Sequence, residues 1–370
     1  MTNKLVFFVS TDRYFLSHRI NLAAEAQKKN FDVYLITTVT SNAYENEIKR
    51  NNIKIINIRL HRSSTMIFPE ILFLNKLYKE FRILKPDIIH NVALKPVIYG
   101  SILGKLCGIK NIVNAIAGTG IVFSSKKKSK KFLKYMLKIF LYLALKKTKV
   151  IIQNKSDKKF IKGLIRNDSL ISHQNGVGVN LASYIKKNSK TKPSRILFAS
   201  RILWSKGIGD YIKAIRIIKK KRNDLKFLIA GSPDLENPDH IDEQMIRDWE
   251  AEGLIKYLGW VENMPKLLSE VDIFCLPTFY GEGMPKSLIE ATAAGVPSIT
   301  TDTPGCNEII LNNKNGFLVP INSPKEIADK IEYLIENTKL YAKMTDACRD
   351  IAVNKFDENK IIKETLELYG

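Results

Sequence analysis

The residues best suited to ligand binding and catalysis lie around two glutamates that have seven residues between them. Glu282 and Glu290 lie in PTFYGEGMPKSLIEATAAGVP, residues 277–297, where Gly283 and Pro285 precede an apolar run. Because proline suits the first turn of a helix, this spacing predicts a helix that begins near Lys286. Glu290 then falls one turn inside the helix, and Glu282 lies on the loop before it.

The amino end of such a helix can bind a diphosphate, because its first N–H groups lack partners within the helix and its dipole favours anions. We expect the carboxylate of Glu290 to accept both hydroxyls of a ribose beside that diphosphate. The residues expected to present backbone donors are Met284, Lys286, Ser287 and Leu288. The alternative is one surface glutamate and a second that is merely favoured by the helix dipole.

A basic pair occurs earlier, in SRILWSKG at residues 200–207, directly after a predicted strand. Arg201 can bind a diphosphate through two parallel hydrogen bonds, and Lys206 can do so as a mobile point charge. The alternative is a solvated pair of surface cations.

The elements that must position these residues follow from short apolar runs that alternate with amphipathic stretches. Residues 5–9 are followed by 17–29, and residues 195–200 by 209–222. This alternation is typical of βαβ units and a parallel sheet, and it restarts after the polar stretch 186–193. The sequence therefore predicts an α/β fold with two Rossmann-like, doubly wound domains that face each other across a substrate cleft. We expect residues 1–187 and 188–355 to form these domains, and the terminal helix 356–370 to complete the first.

Charge is distributed very unevenly along the 370 residues, whose net charge is +22. Residues 1–190 contain 35 Lys and Arg but 10 Asp and Glu, whereas residues 191–370 contain 24 and 27. The excess positive charge is therefore all in the first half. Such asymmetry predicts a basic surface that meets nucleic acid, anionic lipid or phosphate-bearing substrates.

The segment KKKSKKFLKYMLKIFLYLALKKTK, residues 126–149, contains ten lysines and no acidic residue. Helical spacing places four of them on one stripe among apolar residues, and these are Lys127, Lys131, Lys134 and Lys138. A basic amphipathic helix of this kind is typical of a membrane interface. The alternative is a core helix with a solvated lysine edge.

Several classes of protein are disfavoured. The four cysteines lack metal-binding or disulfide-framework spacing, so we expect a reducing compartment. The first apolar run is too short for a signal peptide, and the longest uncharged one, residues 139–145, is too short to span a membrane. No Asp-X-Asp motif is present, so we expect no metal ion.

The second half resembles the retaining glycosyltransferases of family four, which have the GT-B fold of two facing Rossmann-like domains. The resemblance rests on SRILWSKGI, VDIFCLPT, NGFLV and the segment EGMPKSLIEATAAGVPSITTDTPGCNEII, residues 282–310. It implies that Arg201 and Lys206 neutralise a donor diphosphate and that Glu290 binds the ribose. It also implies that Glu282 contacts the donor sugar, and that the residues from Gly283 through Pro285 to Lys286 contact phosphate. The family acts without a metal ion.

The first half is similar to the subgroup that extends polyprenyl-diphosphate-linked sugars, such as alpha-1,3-N-acetylgalactosaminyltransferases. The matching segments are residues 12–23, 90–109 and 114–125. We expect His18 and Arg19 to open a helix facing the cleft, with His18 a candidate proton carrier, and Arg19 and Lys95 to contact the acceptor. The family's glycine-rich first loop and later histidine are replaced by STDRYF and AIAGTG. The identity of a catalytic base therefore stays open.

Together the residues and the resemblance predict a retaining, metal-independent transferase. We expect it to move a hexose or N-acetylhexosamine from a UDP-sugar to an undecaprenyl-diphosphate-linked acceptor, without any further cofactor. We expect a cytoplasmic protein held peripherally on the inner face of the plasma membrane. The alternatives are a nucleic-acid-binding protein with a basic first domain, for which no recognisable motif is present, and a GT-B-type nucleotide-sugar epimerase.

Overall fold

The computed structural model describes residues 2–60, 67–118, 131–186 and 192–370. The chain divides into two compact units. The first comprises Met1–Val177 with Lys360–Gly370, and the second comprises Gly178–Asn359. Each is a parallel sheet covered by helices.

The first unit contains a seven-stranded sheet of order β3-β2-β1-β4-β5-β6-β7, in which every pairing is parallel. The strands are β1 Asn3–Thr11, β2 Phe31–Thr38, β3 Lys54–Asn57, β4 Ile88–Val92, β5 Asn111–Ile116, β6 Lys149–Ile152 and β7 Ile171–His173. The helices are α1 Asp12–His18, α2 Ile20–Lys28, α3 Asn42–Arg50, α4 Ile67–Leu84, α5 Leu94–Leu106, α6 Lys131–Leu145 and α7 Lys155–Ile165.

The central strands of this sheet are apolar on both faces. Leu5, Phe7 and Val9 of β1 belong to one buried cluster, and Val6 and Phe8 belong to another. Burial of both faces explains why the strand sequences read as continuous apolar runs rather than as alternating ones. The chain returns to this unit at its end, where Ile362, Leu366 and Tyr369 join the first cluster.

The second unit contains a six-stranded parallel sheet of order β10-β9-β8-β11-β12-β13. Its strands are β8 Arg195–Ala199, β9 Lys226–Ala230, β10 Lys256–Tyr257, β11 Ile273–Leu276, β12 Ser298–Thr301 and β13 Gly316–Val319. Its helices are α8 Ile208–Lys219, α9 Glu243–Ala251, α10 Met264–Glu270, α11 Lys286–Ala293, α12 Cys306–Ile309, α13 Pro324–Glu336 and α14 Thr338–Lys355. The last helix, α15, spans Glu358–Glu367.

The predicted α/β class with two doubly wound parallel sheets is confirmed. The second unit begins at Gly178, earlier than the boundary expected after residue 187. The N–H of Val179 donates to the carbonyl of Phe356 at 2.9 Å, and the Arg349 guanidinium donates to the carbonyls of Leu181 and Tyr184. Residues 178–186 are thereby hydrogen-bonded to the second unit.

Candidate functional site: a charged cluster at the carboxyl ends of β8 and β11

The strand order of the second sheet reverses between β8 and β11, which are neighbours in the sheet although three helices and two strands lie between them in the chain. Open α/β sheets bind ligands outside the carboxyl ends of their strands at this kind of switch point. Both segments singled out in the sequence follow these two strands. Arg201 and Lys206 come after β8, and residues 277–285 come after β11.

The two segments are in direct contact. Lys206 ends a short 3₁₀ turn, Trp204–Lys206, and Gly207 follows with φ of 82°, a conformation that glycine adopts without strain. A Cβ at Gly207 would collide with the carbonyl of Pro277. The N–H of Phe279 donates to the carbonyl of Ser205 at 2.9 Å. This close approach of two backbones brings the cation-bearing turn to the loop that carries Glu282.

Lys206 and Glu282 form a buried ion pair at the centre of this edge. Lys206 is only 5% exposed. The hydroxyl of Thr278 lies 3.4 Å from the same carboxylate oxygen of Glu282. Burial lowers the pKa of Lys206, and the positive charge of Arg201 adds to this effect, whereas Glu282 opposes it. The structure thus brings together three of the four residues predicted to be catalytic.

An aromatic ring and a second carboxylate complete the cluster, and the sequence analysis missed both. The ring centre of Tyr280 lies 5.8 Å from the guanidinium of Arg201 and 5.3 Å from the ammonium of Lys206. Arg201 donates from Nη1 to Oδ2 of Asp234 at 2.9 Å. Asp234 follows β9, so the rule that strand ends carry ligand-binding residues would have marked it.

Helix α11 begins at Lys286 as predicted, and Pro285 is its N-cap residue. Leu288 does not fit the expectation of a phosphate donor, because its N–H donates to the carbonyl of Pro285 at 3.1 Å. Gly283 is buried beside Gly305, and a Cβ added to Gly305 would collide with the carbonyl of Gly283. Met284 is also buried, whereas Ser287 is half-buried in the first turn of the helix.

Glu290 lies one turn into α11 and is only 7% exposed. The ammonium of Lys286 lies 3.2 Å from its Oε1. Tyr184 lies beside the same carboxylate, and its pKa is raised by burial, then by the negative charge of Glu290 and by hydrogen bonding to it. Tyr184 was not predicted, since it lies 106 positions before Glu290 and no local pattern connects them.

The predicted residues of the first unit are placed differently from the expectation. Helix α1 begins at Asp12, directly after β1, so His18 ends a helix rather than opening one. Its ring stacks on Tyr14 with centroids 4.0 Å apart, and its Nδ1 lies 2.6 Å from the hydroxyl of Ser17. Seven residues of helix span about 10 Å, which separates His18 from the carboxyl end of β1.

Arg19 is buried at the junction of α1 and α2, 7% exposed, and its charge acts on His90 and Tyr369 in the core. Arg19 is therefore enclosed within the first unit, whereas the sequence analysis expected it to contact the acceptor. Lys95, by contrast, is the second residue of α5, just after β4 and therefore at the switch point of the first sheet. Its ammonium forms an ion pair with Glu70 of α4 at 2.5 Å.

Of the four lysines predicted to form a stripe, Lys127 lies outside the described residues. Lys131 begins α6, although its side chain is not described. Lys134 is half-buried and Lys138 is exposed. Helix α6 buries Leu141, Ala144 and Leu145 against the sheet, and among its side chains from residue 134 onward five large apolar or aromatic ones are exposed. These residues are Tyr135, Ile139, Phe140, Tyr142 and Leu143.

Among the described ranges, no helix is both long and apolar enough to cross a membrane. Within the same ranges, no group of three or more His, Cys, Asp or Glu side chains is arranged to hold a metal ion. Arg201 and Lys206 place two cationic side chains at the carboxyl edge of the second sheet. Two cations and a helix amino end beside a buried carboxylate suit the binding of a diphosphate ester.

Comparison with known proteins agrees with this chemistry. Residues 182–350 match the family described as Glycosyl transferases group 1, and residues 4–154 match the family described as Glycosyl transferase 4-like. The chain is 26% identical to the N,N'-diacetylbacillosaminyl-diphospho-undecaprenol alpha-1,3-N-acetylgalactosaminyltransferase of Campylobacter jejuni, over 96% of this chain and 97% of the relative. It is 30% identical to the UDP-Gal:alpha-D-GlcNAc-diphosphoundecaprenol alpha-1,3-galactosyltransferase of Escherichia coli, over 79% of this chain and 77% of that one.

Solved structures give the same fold. The Anabaena protein HepE in complex with UDP and glucose matches with a TM-score of 0.76 at 16% identity, covering 99% of this chain and 98% of that one. WaaG, a glycosyltransferase involved in lipopolysaccharide biosynthesis, matches with a TM-score of 0.74 at 12% identity, covering 99% of both chains.

The fold and these similarities define the class as glycosyltransferases of GT-B fold. The chain belongs to the family of group 1 glycosyl transferases, with a glycosyl transferase 4-like first domain. The resemblance to family four, and to its members that act on diphospho-undecaprenol-linked sugars, is confirmed.

Proposed function

We propose that this glycosyltransferase moves a hexose or N-acetylhexosamine from a UDP-sugar to a sugar carried on undecaprenyl diphosphate, in the assembly of a surface glycan or a glycoprotein glycan. The names of the Campylobacter and Escherichia relatives, both of which act on diphospho-undecaprenol-linked sugars, support the acceptor. The UDP complex of HepE supports the donor.

The observation that carries the proposal is the buried pairing of Lys206 with Glu282 beside Arg201, next to the amino end of α11. In the bound state, we infer that the donor diphosphate lies between the two cations and the first turn of α11. Preorganised cations in a site shielded from water stabilise the charge that develops on a leaving diphosphate. Glu282 then contacts the donor sugar, and Glu290 binds the ribose.

Retention of configuration follows from attack on the same face that the diphosphate leaves. The acceptor hydroxyl oxygen forms a bond to the anomeric carbon while the bond from that carbon to the β-phosphate oxygen breaks. The departing phosphate oxygen takes the proton of the acceptor hydroxyl. This route assigns no protein side chain the role of base. Arg201, Lys206 and the amino end of α11 supply the charge stabilisation that a divalent cation supplies in other enzymes.

The first unit is proposed to receive the acceptor and to hold the enzyme peripherally on the inner face of the plasma membrane. Exposed aromatic and aliphatic side chains on α6 lie beside Lys138 and Lys146. Such a mixture suits the boundary between lipid headgroups and acyl chains. The acceptor's own diphosphate would lie at that same surface.

The test is a panel of UDP-sugars incubated with undecaprenyl-diphosphate-linked sugars, with products read by mass spectrometry and the anomeric configuration read by NMR. We expect the product to contain one additional hexose or N-acetylhexosamine with the same anomeric configuration as in the UDP-sugar. We also expect EDTA to leave the activity unchanged. UDP release without acceptor would favour the epimerase instead. Inverted product, or loss of activity on chelation that Mg²⁺ restores, would overturn the mechanism.

A further inference from the structure

The connection between β9 and α9, residues 231–242, wraps around the turn that carries both cations. The N–H of Ile202 donates to the carbonyl of Ser232 at 3.1 Å, and the N–H of Trp204 to the carbonyl of Asp239 at 3.0 Å. The Asp239 carboxylate accepts the N–H of Ser205 at 2.8 Å. The loop is therefore a fixed support for the segment from Arg201 to Lys206.

Asp234 is the residue of this loop that touches the proposed diphosphate site. Its carboxylate accepts a hydrogen bond from Nη1 of Arg201, and its side chain is only 12% exposed. Arg201 itself is 40% exposed, so part of its guanidinium remains open to solvent. A guanidinium has five N–H donors, and the same ones that bind a carboxylate can bind a phosphate.

Each of the two cations in the cluster is paired with a carboxylate. Arg201 and Lys206 carry two positive charges, and Asp234 and Glu282 carry two negative charges in contact with them. An incoming diphosphate must compete with a carboxylate for each cation. Glu282 has a role at the donor sugar in the proposed function, whereas no such role falls to Asp234.

We propose that Asp234 competes with the diphosphate of the nucleotide for Arg201, and so limits how tightly the product UDP is held. The inference rests on the proposed function. When UDP leaves, the carboxylate of Asp234 replaces the phosphate on the guanidinium, so that the buried edge of the sheet is not left with an uncompensated positive charge. Asp234 is thus a regulator of donor and product affinity that acts through Arg201.

The test is the dissociation constant of UDP, measured by titration calorimetry on the full-length protein. Asp234→Asn keeps an oxygen acceptor for Arg201 but removes the negative charge. We expect it to bind UDP about tenfold more tightly, the scale of one like charge a few ångströms from a phosphate in a partly solvated site. The inhibition constant of UDP in the transferase assay should fall by the same factor. Asp234→Glu, which keeps the charge, should bind UDP as the parent does.

Two further variants separate the possible outcomes. Asp242→Asn removes the same charge from an exposed position of the same loop and should leave UDP affinity unchanged. Arg201→Ala should weaken UDP binding. If Arg201→Ala weakens binding but Asp234→Asn binds UDP equally or less tightly, Asp234 has only a structural role and the inference is wrong. If Arg201→Ala binds UDP normally, the proposed donor site is itself wrong. Asp234→Ser carries the same expectation as Asp234→Asn if the latter is not folded.

Discussion

Replacement of Lys206 by methionine should lower both the catalytic rate and the folding stability, each for a different reason. The change removes the ammonium proposed to neutralise the departing diphosphate, and it takes the paired cation away from the carboxylate of Glu282 in a site where Lys206 is 5% exposed. A second change, Glu282→Gln, distinguishes the two effects. It removes the stranded charge but does not restore the ammonium.

The magnitudes follow from burial. Loss of one preorganised charge at a developing anion costs about 3 to 4 kcal/mol of transition-state stabilisation, so kcat/KM should fall by a factor between about 10² and 10³. Breaking a buried pair by removing one partner costs about 3 to 5 kcal/mol of folding stability. Because Glu282 retains 18% exposure and the hydroxyl of Thr278 nearby, we expect about 3 kcal/mol.

The assays are initial rates of UDP release with donor and acceptor present, and urea unfolding followed by circular dichroism. Lys206→Met should lose both activity and stability, whereas Lys206→Met/Glu282→Gln should regain about 2 kcal/mol of stability and remain inactive. Lys162→Met, which breaks the exposed pair with Asp168, is the control and should retain both. Near-normal turnover in Lys206→Met would refute the placement of the diphosphate, and a double variant no more stable than the single one would refute the buried-charge argument.

Three further predictions concern the ribose contact, the membrane and acid stability. Glu290→Ala should lower kcat/KM for the UDP-sugar by about a hundredfold, because a buried charged contact to the ribose is lost. Changing the four stripe lysines to glutamine should weaken binding to anionic liposomes by up to about 4 kcal/mol before salt screening, and raise the KM only for the lipid-linked acceptor; the lysines are Lys127, Lys131, Lys134 and Lys138. Burial, with a further contribution from the charge of Arg19, holds the pKa of His90 well below its usual value. The unfolded chain therefore binds a proton below about pH 6.5 that the folded chain excludes, so the free energy of unfolding should fall by about 1 kcal/mol between pH 7 and pH 5.5 through this residue.

Each of these predictions has a contrary result. If Glu290→Ala has the same kinetics for the UDP-sugar as the parent, the proposed contact between Glu290 of α11 and the ribose is wrong. Unchanged sedimentation of the quadruple variant with anionic liposomes would make α6 an ordinary core helix. His90→Gln should show a weaker dependence of unfolding on pH than the parent, and an identical dependence would assign the effect to another group.

Sequence alone was sufficient for the class of fold and for the placement of two candidate segments directly after strands. Strands that are buried on both faces must be continuously apolar, and helices that cover them must be amphipathic, so the βαβ alternation is visible without coordinates. Because ligands bind at the carboxyl ends of parallel strands, the sequence then predicts a ligand site formed by residues 200–207 and 277–290. The start of α11 at Lys286 was predictable because proline and glycine act through local backbone geometry.

The tertiary structure decided everything that depends on contacts between distant parts of the chain. Three contacts of this kind lie at the candidate site, and they pair Lys206 with Glu282, Asp234 with Arg201, and Tyr184 with Glu290. The paired residues are between 33 and 106 positions apart. No local period encodes such contacts. Strand order creates the first two, because it places the carboxyl ends of β9, β8 and β11 side by side. Arg19 is an example of a prediction that failed for the same reason. The sequence predicts this charged residue at an exposed helix start, whereas in the structure it is buried at the junction of α1 and α2, in the unit to which the end of the chain returns. Burial is a property of packing, and only the folded chain determines which charged side chain packing encloses.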